Sequence, residues 1–421
     1  MPPARSAGYL ALTAVLATAL SSPAVADEES GFWPQFRGPN RDGISSETDL
    51  LERWPEGGPP LLWTAEGIGY GFSTASIAGG TIYTAGNVDG MTVVTALDLD
   101  GEVLWRAENG PEWVGTQPGH PGVRSTPTVD GGQVFHLSPF GDLVALDAAS
   151  GERQWGLNTL ETFESENPTW AQAASVLVDG ERVIVAPGGP RTAVVALDRH
   201  DGRLVWESPS VGELAGYGSP VVVEHDGLRM IATMTAKSVI AVRAEDGALL
   251  WQHPHETSWD ENIFTPLHHD GHLFVSTQFT GSVLLRLSVD GDRCTVEQVW
   301  DSADLDNHHG GVVLLDGYLY GSGRGNADRW ACLDWETGEL RYLERGLGKG
   351  SVVAADGMLY TLSERGIAGL VKATPRDHEV FGQFRIPAGG EGPVFAHPVV
   401  CGGRLYLRHG DYLYCYDIRA R

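Results

Sequence analysis

Two adjacent histidines, His308 and His309, stand before a glycine pair in "HHGGVVLLDGYLYG". Imidazoles joined by a carboxylate are a donor set that suits divalent transition metals. Glu261 and His397 supply further groups of that kind elsewhere in the chain. The plainer reading is a loop whose two rings hydrogen-bond locally. Arg124 and Lys349 are cations suited to a carboxylate or phosphate, with Arg the better bidentate donor. Gln172 and Tyr217 add polar groups, while Tyr70, Phe72, Trp170 and Phe395 offer faces for a planar group or a sugar. The denser cluster "LHHDGHLF" (His268, His269, His272) reads as solvated turn residues. "GSGRGNADRW" lacks the strand-to-helix context of a phosphate loop, and "SERG" (Ser363 to Gly366) lacks the flanks of a nucleophile elbow and reads as a turn. No Ser–His–Asp set is evident.

Some two hundred and seventy positions separate Arg124 from His397, so the use of these groups depends on what brings them together. The answer is repetition. One string recurs as "TALDLDGEVLW", "VALDAASGERQW", "VALDRHDGRLVW", "IAVRAEDGALLW" and "ACLDWETGELRY", with a stretched copy ending at Trp300 and a degraded one at Phe384. Ahead of each copy, and once more near the C-terminus, two alternating apolar strands flank Asp-Gly or Gly-Gly, as in "SVLVDGERVIV" and "PVVCGGRLYLR". Such dipeptides are the strongest short-range hairpin signal. Each repeat of about 45 residues therefore supplies four short antiparallel strands, which is one propeller blade.

Eight hairpin copies predict an all-β, eight-bladed propeller over residues 61–421. The last repeat ends at "YCYDI" without an outer strand, and "GPPLLWTAE" near Trp63 is an outer strand without a blade before it. The N-terminal strand is expected to complete the eighth blade and close the ring, removing open sheet edges. Within the repeat, Asp147 and its equivalents are expected to accept backbone N–H bonds in a turn. Gly151, Gly202, Gly247 and Gly338 suit φ > 0, and the aromatic that follows is expected to wedge between blades. Asp198, His200 and Trp206 are thus scaffold. The loop entering each first strand should rim one mouth of the axis. Those loops carry Arg124, Trp170 and Gln172, Tyr217, Glu261 and Asn262, His308 and His309, Lys349, and Phe395 and His397. Polar groups and aromatics converging on a concave centre predict a small-ligand or cofactor site.

Composition restricts the remaining readings. In "MPPARSAGYLALTAVLATALSSPAVA", residues 1–26, Arg5 is the only charge and Ala24-Val25-Ala26 supplies small residues, which predicts a secretory signal. No later stretch is long and apolar enough for a transmembrane helix. Removing Arg5 with that signal takes the formal charge from −26 to −27, which disfavours nucleic-acid binding. Four scattered cysteines make no disulfide framework and are expected to pack as small apolar residues. Residues 27–60, rich in Gly, Pro and aromatics, are expected to pack across the propeller. A monomer exported to the periplasm or the extracellular space is expected.

With these repeats laid out, the chain resembles the pyrroloquinoline-quinone-repeat β-propellers, whose blade motif A-x-D-x-x-T-G-x-x-x-W is matched by "ALDAASGERQW" and "CLDWETGEL". The resemblance runs from about Trp63 to Ile418. One branch of that family, the quinoprotein dehydrogenases, implies pyrroloquinoline quinone and Ca²⁺ on the axis. Its hallmark adjacent cysteines are missing here, no Glu/Asn/Asp calcium set aligns, and the chain is shorter. The other branch is non-catalytic and includes the propeller lipoprotein that assists outer-membrane β-barrel assembly, but a lipid-bearing cysteine is absent. The resemblance thus implies a binding or scaffold protein with a protein or small-ligand partner. A quinone- or metal-dependent oxidoreductase is the alternative.

Overall fold

A computed structural model describes Met1 and residues 31–115, 119–323, 325 and 329–420. The expected signal sequence lies, apart from Met1, outside the described residues. The described strands form eight four-stranded antiparallel sheets. Blades 1 to 7 occupy residues 76–111, 128–158, 177–207, 221–254, 267–302, 307–344 and 350–385. In the eighth, Val399–Cys401, Arg404–His409 and Tyr412–Asp417 take their fourth strand from Leu61–Glu66. That strand runs antiparallel to the last one, with Thr64 opposite Tyr414 and Glu66 opposite Tyr412.

The repeat motif joins blades at five of the eight junctions. Asp147 Oδ1 accepts the N–H groups of Ala149 and Ser150, and Asp334 Oδ1 accepts those of Glu336 and Thr337. These bonds pin the turn so that the carbonyl after the Asp (after Arg243 in blade 4) faces the preceding blade. There an indole N–H donates to it: Trp63 to Leu99, Trp105 to Ala148, Trp155 to Arg199, Trp206 to Ala244 and Trp300 to Trp335, all at 2.7–3.2 Å. The turn glycine underlies the same ring. Gly151 has φ 73°, and a Cβ placed on it would lie 2.6 Å from the Trp105 ring. Only glycine meets both demands.

Ring closure carries its own lock. Arg408, on the second strand of blade 8, is fully enclosed. Its guanidinium donates to the carbonyls of Gly69, Ser73 and Ala85 and to Thr84 Oγ1, all in or leading to blade 1. Burial lowers its pKa to about 9, which leaves it charged at neutral pH.

Antiparallel order sorts the loops. Loops entering the first strand and loops joining strands two and three open at one mouth; the Asp-Gly hairpins and Asp–Gly–Trp turns lie at the other. His268, His269 and His272 belong to the second mouth. His268 and His269 sit in strand Leu267–His269, and His269 and His272 meet the Trp335 ring edge-on. His268 is half-buried within its strand, and this corrects the expectation of a solvated turn residue. The four cysteines are buried and free.

Residues 33–45 run along the inner strands, and residues 50–54 continue onto Ile418 and the outer strand of blade 7. Trp33 exchanges two backbone hydrogen bonds with Ile77 of blade 1, and Ser45 donates to Ala354 of blade 7. Between them, two buried arginines reach into the channel. Arg37 donates to Val312 O at 2.5 Å, and Arg41 to the carbonyls of Ser175, Val176 and Pro220. Burial lowers their pKa values to about 10 and about 9.

Candidate functional site

The open mouth leads into a cavity of about 810 Å³ whose floor includes Phe36 and Arg37. Seven of the eight residues singled out in the loops line it: Arg124, Tyr217, Glu261, His308, His309, Lys349 and His397. Phe72, Trp170 and Phe395 join them. Gln172 does not. Its backbone N–H is tied to Pro139 O at 3.1 Å and the residue is 2% exposed, so the loop turns it into the wall. Asn262 is likewise internal, donating to the carbonyls of Thr235, Ala236 and His255.

One wall, on blades 5 to 7, is a connected polar network. Lys349 Nζ lies 2.6 Å from Glu364 Oε1 and 3.2 Å from His308 Nδ1. An ammonium can only donate, so His308 Nδ1 accepts and its Nε2 carries the proton toward Glu261, 3.9 Å away. His309 Nε2 faces Glu364 at 3.2 Å, and the Gln278 amide donates to Glu261. Burial pushes the Glu364 carboxyl up, but the contacts with His309 and Lys349 outweigh it and hold the pKa at about 2. His397 Nε2–H donates to His309 O at 2.7 Å; burial chiefly, and Arg37 next, lower its pKa to about 3.

The facing wall, on blades 1 to 4, is aromatic with one cation. Arg124 is half-buried and donates to His120 O at 2.8 Å and Gly122 O at 3.2 Å. Its guanidinium lies 5.8 Å from the Phe72 ring centroid, and Phe72 packs on Phe395 at 4.9 Å. Tyr217 accepts from Trp170 N, and burial raises its hydroxyl pKa to about 12.

Glu364 and Gln278 escape a reading confined to loops that enter the first strand. They sit in the loops joining strands two and three, which antiparallel geometry brings to the same mouth. Glu364 belongs to "SERG", which is indeed a turn, closed by Gly366 N–H on Ser363 O at 2.9 Å. Its side chain nonetheless faces the cavity.

These residues do not fit a calcium–quinone pair. Calcium takes six to eight oxygen ligands. Among the described residues the cavity offers the carboxylates of Glu261 and Glu364 alone, and the second is committed to Lys349 and His309. Asn307 spends its amide on Gly311 and Ser322. No cysteine lines the cavity. The donor atoms of His308, His309 and Glu364 do lie within 4.8 Å of one another, a set suited to a transition metal. The Lys349 ammonium already holds the cationic place between them.

The sequence profile of the family described as outer membrane protein assembly factor BamB matches residues 90–342. Two curated relatives bear that same description. The one from Yersinia pestis is 31% identical over 127 residues, 30% of each chain, and the one from Shewanella oneidensis is 30% identical over 154 residues, 36% of each. The matched stretch thus spans about a third of their length. Among solved structures, BamB from Moraxella catarrhalis superposes with a TM-score of 0.61 at 15% identity, covering 86% of this chain and 100% of that one. The quinohemoprotein alcohol dehydrogenase of Comamonas testosteroni gives 0.66 at 12%, covering 93% and 81%. At such identity these two structures speak for the fold alone. The profile match extends over more than half of the sequence, and by it the chain belongs to the BamB family of pyrroloquinoline-quinone-repeat propellers.

Proposed function

We propose that the protein is a secreted, periplasmic or extracellular, binding propeller that holds a small ligand at its axial cavity and presents its outer faces to protein partners, without transforming what it binds. The observation that carries this reading is the cavity wall itself, where Lys349, Glu364, His308 and His309 satisfy one another in a network with no calcium set beside it. Such internal satisfaction shapes and polarises a pocket but leaves no group poised as a base or metal ligand. The description shared by the BamB relatives supports a partner in protein assembly.

The test is reconstitution. The purified protein is mixed with pyrroloquinoline quinone and Ca²⁺, its spectrum is followed, and dye-linked oxidation of alcohols and sugars is assayed. Neither a stoichiometric quinone complex nor turnover is expected. A one-to-one complex that oxidises substrate would replace this reading with the oxidoreductase.

A further inference from the structure

The two walls of the cavity differ in charge in a way that specifies a ligand. Of the cations on the cavity, Lys349 is neutralised by Glu364, and Arg37 is spent largely on backbone carbonyls. Arg124 is the more exposed of the two arginines. Its hydrogen bonds go to two carbonyls, and among the described residues no carboxylate lies within ion-pair distance of it. A half-buried guanidinium without an anion is costly to desolvate, and a bound oxyanion offsets that cost through two parallel N–H···O bonds. Arg41 and Arg408 also lack a carboxylate partner, but they are sealed within the fold, whereas Arg124 lines the cavity.

We propose that the cavity binds a hydroxylated aromatic monocarboxylate, its carboxylate on Arg124, its ring among Phe72, Trp170 and Phe395, and its hydroxyl toward Glu261 and His308. The inference rests on the binding-protein reading and names the ligand class for that same cavity. Each part of the ligand answers one feature. Aromatic faces beside Arg124 suit a flat aromatic ring. Arg124, Tyr217 and Glu261 all line the one cavity, so both charges face the same space. The Glu261 carboxylate at the far end accepts a hydrogen bond from a hydroxyl and repels a second anionic group. That selects one carboxylate over several. A volume of about 810 Å³ accommodates a single-ring acid with room to spare.

The experiment uses the full protein, with 4-hydroxybenzoate and 4-hydroxycinnamate as probes, read by calorimetry and by quenching of tryptophan fluorescence, to which Trp170 and Trp259 of the cavity lining contribute. Saturable one-to-one binding is expected. 4-Hydroxybenzamide, which lacks the charge, should bind about tenfold or more weakly, as should the dianion terephthalate. Glu261→Gln should restore much of the terephthalate affinity. Arg124→Gln should lower affinity for the acids by about tenfold or more, and Arg124→Lys by less, since it keeps charge but not the fork. Equal binding of acid and amide, undiminished binding by Arg124→Gln, or no saturable binding by the folded protein would each overturn the assignment. The ligand-side comparison remains decisive if a variant misfolds. Loss of acid binding without quinone turnover leaves the binding-protein reading in place and removes only the ligand class, whereas quinone-dependent oxidation removes the reading beneath it.

Discussion

At the cavity wall, the Glu364 carboxylate is held between an ammonium at 2.6 Å and an imidazole at 3.2 Å. Burial opposes ionisation, but these contacts win and depress the folded pKa from the ordinary 4.5 to about 2. The stabilisation from this group is therefore complete above about pH 4.5 and is lost as pH falls toward 2. Glu364→Gln should melt earlier than the parent protein at pH 7, and the gap should close as the melts are repeated toward pH 2; a gap independent of pH would show that packing, and not ionisation, is what Glu364 contributes. Seven of the cavity residues were legible in the sequence, because the hairpin signals mark where each first strand begins and the loop before it must rim the axis. Gln172 was misplaced because sequence spacing says which loop a residue occupies but not which way one side chain turns. Glu364 was passed over because "SERG" looks like any polar turn until the neighbouring blade brings Lys349 beside it.

Between blades, the recurring Asp, Gly and Trp form one joint. The Asp carboxylate sets the turn, the turn offers a carbonyl, and the indole of the preceding blade donates to it above a glycine that has no room for a methyl group. Two glycines separate the contributions. Gly180, in the blade 3 hairpin, has φ 58° and nothing within 4 Å of an added Cβ, whereas Gly151 adds a ring at 2.6 Å to a similar φ. Gly180→Ala should cost only the backbone strain of about 1–2 kcal/mol. Gly151→Ala should cost about 1–3 kcal/mol more, because the Trp105 ring must shift. Urea unfolding of both variants gives the comparison, and equal losses would mean that the ring contact is slack. The motif was readable in one dimension because its parts lie within a dozen residues. Its partner lies some 40 residues away in the adjacent blade, and only the ring geometry supplies it.

Across the whole molecule, acid sensitivity is written into buried imidazoles. Burial lowers the pKa of His136 and His397 to about 3 and of His255 and His378 to about 4, from 6.5. Above pH 6.5 these residues are neutral whether folded or not. Below it the unfolded chain takes up protons that the folded chain refuses, so each adds up to about 1.4 kcal/mol of destabilisation per pH unit. Chemical unfolding midpoints should therefore fall steadily from pH 7 to pH 5; a flat profile over that range would contradict neutral burial. Among the described residues no helix is long and apolar enough to cross a membrane.

The ring itself depends on blade 8. Arg408→Met would leave at least three buried carbonyls without donors and should cost about 3 kcal/mol or more; thermal melts would show it, and an unchanged midpoint would mean that water replaces the guanidinium. Because that blade is assembled from both ends of the sequence, there is also a cost in time. Leu61–Glu66 emerges early in synthesis, yet its partner Tyr412–Asp417 is made about 350 residues later. Throughout that delay a strand with two exposed leucines, Leu61 and Leu62, has an open edge that other chains can pair with. Pro59 and Pro60 directly before it have no N–H to offer an intruder, and Glu66 ends it with a charge. The same six residues that clasp the finished ring are thus guarded for the period in which they must wait.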